Sequence, residues 1–481
     1  MSGLIRISGG ASTGGGGSAN TAPVIRNFRS TSASSTTITI QYVAEDTENA
    51  ILRHYIYING QKKEITKEVI ENEELKEFEY TITGLTKETP YQIQVEVSDS
   101  LDTIRSDILN ISTKAYIVYG VRIDENNSNP ESSVEYIEDC IGFVPHKINT
   151  SGIWPKRFPY NKSRVVGFQN GKVTKEVYAS QKNRYKDGTY VDTDVDIMVE
   201  IPKVYWDFKK INEHVYEIRI SDTKFNDTCD CYAHKVNGVE KDFIYVGVYL
   251  AYEENGKLRS VSGVTPTEYK PTDIERIRTL AQANGNGYQC YNWYTHLLLQ
   301  IMYVITFKNL NSQDVIGLGC KIKKNTGELN NRDFAYGNPI NNEIVMNFWN
   351  IEALWNNLSG WIDGIYTQRI YNENEQNIYL LEDNKSFNDK LAYKITNTSI
   401  MSNGSITKVC KHNKNGFLGL SSNGSETTYY CDYQVLSISY KEELTGLAIK
   451  PVSTMRESGI FSFQHLQYNP SIGTRLVYLG E

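Results

Sequence analysis

The residues best placed to do chemistry are Cys229-Asp230-Cys231, with His234 close behind, and three aspartates, Asp192, Asp194 and Asp196, alternating in VDTDVDIMVEIPKVYW. Two thiols and an imidazole are the vocabulary of a zinc site. No second ligand pair at zinc spacing follows, so free thiols are the reading adopted. Alternate carboxylates on a strand share one face and could hold calcium. No loop with the oxygen count and glycine turn of a calcium site accompanies them, so they read as exposed acids at a strand end. The seven histidines, His54, His146, His214, His234, His296, His412 and His465, are dispersed, and His296 reads as a packed group on a helix rather than a base. There is no Gly-x-Ser-x-Gly elbow, no His-Glu-x-x-His and no phosphate-cradling Gly-Lys-Ser/Thr. Any two of the 57 acids could converge for glycoside hydrolysis, but no pattern singles out a pair. The expectation is a protein that is not an enzyme and carries no cofactor and no metal.

The elements that must position such residues are mostly strands. A chain of 481 residues suggests two to four domains, and 40% hydrophobic with 22% charged residues is globular composition. Tyrosine outnumbers phenylalanine 34 to 15, which suits half-exposed strands and recognition surfaces. A net charge of −7 without a long Lys/Arg cluster argues against a nucleic-acid partner. No apolar run reaches membrane-spanning length, so no membrane is expected. MSGLIRISGG lacks a signal-peptide core, implying synthesis in the cytoplasm. The seven scattered cysteines, Cys140, Cys229, Cys231, Cys290, Cys320, Cys410 and Cys431, are not a disulfide framework.

Three segments are expected. Residues 1–20 are Gly/Ser-rich; the Leu4-Ile5-Arg6-Ile7 alternation is either a docking strand or part of a frayed end. Residues 21–114 read as a small all-β domain with strands at Thr36 to Val43, His54 to Ile58, Phe78 to Ile82 and Tyr91 to Val97. Asn59-Gly60 is a strong hairpin turn, and Glu71 to Glu74 reads as a solvated loop. Gly84-Leu85, followed by Tyr91 and strict alternation, is similar to the tyrosine corner of fibronectin type III modules. Residues 115–481 form the large domain. It has a buried strand pair around Pro202, a helix from Thr272 to Asn284, and a buried helix carrying Trp293, Leu297, Leu298, Ile301, Met302 and Ile305. Gly317 and Gly319 follow in a tight loop, then Trp349, Trp355 and Trp361 at intervals of six, which need a shared core or a partner.

LLLQIMYVITFKNLNSQDVIGLG followed by NIEALWNNLSGWIDGI, YGVRIDENNSNPESSVEYIEDCIGF at the start of the large domain, and the closing Gly473-Thr474-Arg475-Leu476-Val477 carry a resemblance. They resemble the C-terminal domains of tail-fibre and receptor-binding proteins of phages and phage-tail-like bacteriocins of Gram-positive bacteria, clostridia especially. Those domains look like the C-type-lectin/formylglycine-generating-enzyme fold. The implied fold class is multi-domain, mainly β with α+β: a fibronectin III-like sandwich followed by a C-type-lectin-like domain. Cys410 and Cys431 lie in the half where formylglycine-generating relatives carry a reactive cysteine pair, but in no matching motif, so that catalysis is not carried over.

The resemblance implies attachment of a phage or tail-like particle to a Gram-positive, clostridial cell-surface protein or glycan, such as an S-layer or wall polymer. Baseplate proteins would be met through the N-terminus, and a homo-oligomer, with a trimer favoured, would sit at the tail tip. By the same resemblance the receptor-binding surface falls among Trp355, Trp361, Tyr366, Tyr429, Tyr430, Tyr433, Phe461, His465 and Tyr468. Both tryptophans read alternatively as core, the reading favoured for Trp361 before the Asp363-Gly364 turn. The other functions kept open are a structural baseplate protein without a receptor role and a surface-glycan depolymerase.

Overall fold

A computed structural model describes residues 20–47, 52–65, 70–72, 77–99, 101–341, 343–355, 358–369, 375–384, 387–389, 392–401, 403–421, 423–436, 445–449, 458–465 and 471–480. The molecule is mainly β, and the chain divides into two compact units, Met1–Ala115 and Tyr116–Glu481. Leu4 to Ile7 and Glu73-Glu74 lie outside the described residues.

In the first unit one sheet runs Val24–Ala33, Ile38–Glu45, Glu77–Ile82, Ile70–Asn72. A second sheet runs Gln61–Ile65, Arg53–Ile58, Pro90–Ser98, the last also pairing Thr103–Arg105 and Leu109–Ser112. Alternation decides the core: Ile38, Ile40 and Tyr42 from one sheet meet Ile93, Val95 and Val97 from the other, all fully buried. Asn59 and Gly60 take positive φ, 48° and 80°, the twist that a two-residue hairpin needs. Downstream of Gly84, the Thr86 amide donates to the Tyr91 hydroxyl at 2.8 Å, closing a tyrosine corner. On a strand face, the Glu96 carboxylate accepts from Tyr57 at 2.9 Å, Arg105 at 2.7 Å and Lys62, while Lys62 and Arg105 lie over the Tyr55 and Tyr57 rings.

The second unit contains three larger sheets. One runs Val134–Glu138, Tyr119–Asp124, Val215–Ser221, Tyr205–Lys210. The seven-stranded sheet runs Gln181–Tyr185, Lys172–Tyr178, Arg164–Gln169, Asp196–Pro202, Phe243–Gly247, Leu476–Tyr478, Tyr288–Cys290. The eight-stranded sheet includes Tyr393–Met401, Glu375–Leu381, Ser359–Arg369, Thr445–Ile449, Phe463–His465, Tyr433–Val435 and Asn403–Ser405. The strands either side of Pro202 do not pair with each other, contrary to the sequence reading. Asp196–Pro202 joins the seven-stranded sheet and Tyr205–Lys210 the four-stranded one, because Lys203 bonds onward to the Asp242 carbonyl instead of turning back. Asp196 is likewise not an exposed acid. It is buried and accepts from the Arg259 guanidinium and the Ser260 amide at 3.0 and 2.7 Å.

The helix Trp293–Phe307 is buried along all fifteen residues. Asn292 caps it, accepting from the Thr295 amide at 3.0 Å, and Lys308 ends it in a left-handed conformation. The three spaced tryptophans are all buried, Trp349 and Trp355 in one hydrophobic core and Trp361 in a second. Trp355 donates to the Gly317 carbonyl at 3.0 Å. A side chain at Gly317 would start 2.6 Å from the Asn338 nitrogen, so the tight loop requires glycine there.

The helix Ile274–Gln282 follows a turn in which the Asp273 carboxylate accepts from the Lys270 amide at 2.9 Å. From this helix Arg278 forms a buried bidentate pair with Asp363 at 2.6 and 2.8 Å and donates to Tyr366 at 3.0 Å. Among the described residues no helix is long and apolar enough to cross a membrane.

All six tryptophans lie in the second unit, so their fluorescence reports on it alone. Asp363→Ala leaves a buried guanidinium unpaired and should destabilise the tryptophan-detected urea transition by about 3–5 kcal/mol. Tyr91→Phe should leave that transition in place and cost the first unit about 1 kcal/mol, read by circular dichroism.

Candidate functional site

The aromatic surface expected from sequence is largely interior. Trp355, Tyr430, Phe461 and His465 are at most 2% exposed and Tyr366 is 7% exposed, so none of them offers a contact face to a receptor. Their neighbours explain why. Tyr366 lies beneath Arg278 and edge-on to Tyr393. Tyr430 donates to Glu125 at 2.8 Å and shares a 2.7 Å hydrogen bond with Tyr216. Phe461 packs among Tyr303, Phe417 and Tyr430, and His465 bonds Thr367 at 2.7 Å. Trp361 is core, packed against Arg278. Tyr429 and Tyr433 are half-buried, and Tyr468 lies outside the described residues.

A cleft forms elsewhere, where three segments distant in sequence meet. The first is the turn Tyr232–His234 and the hairpin of Lys235–Val236 with Val239–Glu240. The second is the end of strand Glu375–Leu381 with the residues after it. The Asn384 amide donates to the carbonyls of Tyr232 at 2.9 Å and Lys235 at 3.2 Å, and the Asp383 carboxylate accepts from the Asn237 amide at 2.8 Å and from that of Gly238. These bonds stitch the two segments together.

The third segment is the loop 411–416, held from beneath by two buried indoles. Trp206 donates to the Asn413 carbonyl at 3.0 Å and Trp293 to the Lys414 carbonyl at 2.6 Å. The loop closes with the Gly416 amide on the His412 carbonyl at 2.8 Å. Gly416 sits so close to the buried helix that a Cβ would fall 2.1 Å from Leu297 Cδ1.

Two cavities result. One, of about 360 Å³, lies between Leu380 to Glu382, Lys394 to Thr396, and His412, Lys414 and Asn415. The other, of about 440 Å³, is walled by Asp230, Tyr232, Lys235, Glu382, Asp383 and Lys414. Glu382 and Lys414 belong to both. The Tyr232 ring is fixed by stacking on Tyr294 at 5.6 Å and by tilted contact with Trp206 at 5.3 Å. Burial pushes its phenol up to about 12, so it stays neutral. The Lys414 ammonium stands 5.9 Å from that ring centroid and has no hydrogen bond or ion pair among the described residues. Asn415, 2% exposed, leaves its Oδ1 without a hydrogen bond among the described residues.

Beside the cleft, Asp230, Cys231 and Glu240 bring ligand-type atoms within 4.8 Å of one another. Their charges are already answered: Lys235 lies 2.6 Å from Asp230, and Lys203 lies 3.2 Å from Glu240. Burial pushes the Cys231 thiol up to about 12, which keeps it protonated. His234 is turned away onto the Ile201 carbonyl at 3.2 Å, so the Cys/His spacing does not assemble as a ligand set.

Sequence reasoning missed Tyr232, Glu382 and Lys414. Only the HNKNG turn at His412 to Gly416 offered a local signal. No protein-family model matches the chain, and no curated protein matches it.

Burial pulls His465 down to about 3, from 6.5. It is neutral when folded, so the stability tied to its neutral form is complete above about 6.5 and is lost as pH falls towards 3. The destabilisation caused by His465→Gln should therefore shrink between pH 7 and pH 4.5, measured by tryptophan-detected urea unfolding at each pH.

Proposed function

We propose that the protein is the receptor-binding tail-fibre component of a phage or tail-like particle and attaches it to the surface of a Gram-positive, clostridial cell. Residues 1–20 join the baseplate, the first unit is a fibronectin III-like spacer, and the second is a C-type-lectin-like binding domain. The observation that carries this reading is the preorganised cleft, in which a fixed tyrosine ring and a lysine without an ion pair among the described residues stand on loops pinned to a buried core. The tyrosine corner and the strand order of the first unit support the spacer assignment.

Binding is favoured over hydrolysis because two of the cleft's three acids are engaged, and glycoside hydrolysis needs a pair. Asp230 is paired with Lys235, and Asp383 is spent on two backbone amides, so neither is poised as a proton donor or nucleophile. Several copies per particle would multiply a modest single-site affinity.

The test is binding of the purified chain to intact clostridial cells. Saturable, strain-dependent binding is the expected result, with a trimer by light scattering. A folded protein that binds no strain overturns the assignment.

A further inference from the structure

We propose that Lys411 and Glu125 close a covalent amide cross-link, made by the folded chain itself, between the loop 411–416 and the end of strand Tyr119–Asp124. This goes beyond the adhesion reading and does not depend on it. The two side chains meet in the interior. That of Lys411 is 6% exposed and that of Glu125 1%, and Nζ stands 2.5 Å from Oε2. Two other ion pairs among the described residues are as deeply buried, Arg259 with Asp196 and Arg278 with Asp363. Both use a guanidinium, which stays protonated and is no nucleophile, and both are hydrogen-bonded. Lys411 also takes a left-handed backbone conformation, φ 55°, uncommon for a residue of its kind.

The contact between Lys411 and Glu125 is close without being a hydrogen bond. Glu125 Oε2 is buried with no hydrogen bond among the described residues, although the nitrogen is within reach. The remaining polar atoms of the pair are held as an amide would need them. Glu125 Oε1 accepts from the Val409 amide at 3.1 Å and from the Tyr430 hydroxyl at 2.8 Å, and Lys411 Nζ donates to the Glu213 carbonyl. In an amide the carbonyl oxygen keeps both donors, the N–H keeps the Glu213 carbonyl, and the orphaned oxygen is gone.

The step balances without an oxidant, a reductant or a cofactor. A proton passing from Nζ to Oε2 turns the ion pair into a neutral amine and a neutral acid. Burial favours that form, since it pushes the Glu125 carboxyl above its usual range against the pull of Lys411. The Nζ lone pair adds to Cδ, and the negative charge gathering on Oε1 meets the Val409 N–H and the Tyr430 O–H. A second proton follows from nitrogen to Oε2, the Cδ–Oε2 bond breaks, and one water leaves. Holding the two groups in contact replaces a bimolecular encounter, and the product carries no charge into the interior.

The experiment is the intact mass of the purified full chain under denaturing conditions, followed by tryptic mapping. The mass should fall short of the sequence mass by one water. A branched peptide should join residues 123–147 to residues 409–414, uncut after Lys411. Lys411→Arg keeps the charge pair and should show the full mass and no branched peptide. In chains sampled over time after cell-free synthesis, Tyr430→Phe should close the link about a hundredfold more slowly. A folded chain at its full sequence mass overturns the proposal. So does a missing water that maps to other residues or survives Lys411→Arg.

Discussion

A helix that is apolar on every side must be covered on every side, and the second unit is arranged to satisfy that requirement for Trp293–Phe307. Its polar side chains cannot reach water, and several are met inside. Thr306 bonds Tyr160 at 2.6 Å, Gln300 donates to the Ile460 carbonyl at 2.9 Å, and His296 bonds Tyr291 at 3.0 Å. Phe348, Phe461 and Phe463 close over Tyr303, Phe307 and Trp293 from segments more than forty residues away in sequence. The same helix reaches the cleft, because the Trp293 indole and Leu297 fix the loop that carries Lys414.

Buried charge is handled by pairing within the same framework. Arg278 and Asp363 tie one helix to the long strand Ser359–Arg369, and the Asp363 amide bonds the Tyr291 carbonyl just ahead of the central helix. Lys411, at the start of the cleft loop, pairs with Glu125 at 2.5 Å, and Glu125 also holds the Val409 amide and Tyr430. Arg475 uses carbonyls instead, reaching those of Ala353 and Val248 at 2.5 and 3.2 Å. Each such group would be costly if left alone, so the loops around it have few alternatives. That rigidity fits a surface whose work is recognition.

Where local pattern and tertiary role coincide, the sequence was readable. Helical spacing from Trp293 to Ile305, the Asn59-Gly60 hairpin and the Tyr91 corner are all set by neighbours within a few residues. Asp196 and the Pro202 strands were misread because their fate depends on which sheet captures them, a matter of contacts 36 to 64 residues distant. Trp355, Tyr429, Tyr430, Tyr433 and Phe461 sit on short strands and turns that give no periodicity, so inward and outward rings look alike. The cleft was invisible for a related reason. Tyr232, Glu382 and Lys414 are ordinary surface residue types, brought together only by stitches such as Asn384 to Tyr232 and Trp206 to Asn413.

The strand Leu476–Tyr478 lies inside the seven-stranded sheet, between Phe243–Gly247 and Tyr288–Cys290. Ribosomal synthesis runs from the other end, so that sheet keeps an open slot until residue 478 has cleared the exit tunnel. The first unit, whose strands all lie before residue 113, can be complete long before then. The nascent second unit must wait with apolar strand edges uncovered, which makes its timing, more than its final stability, the point at which chaperones or neighbouring copies would matter.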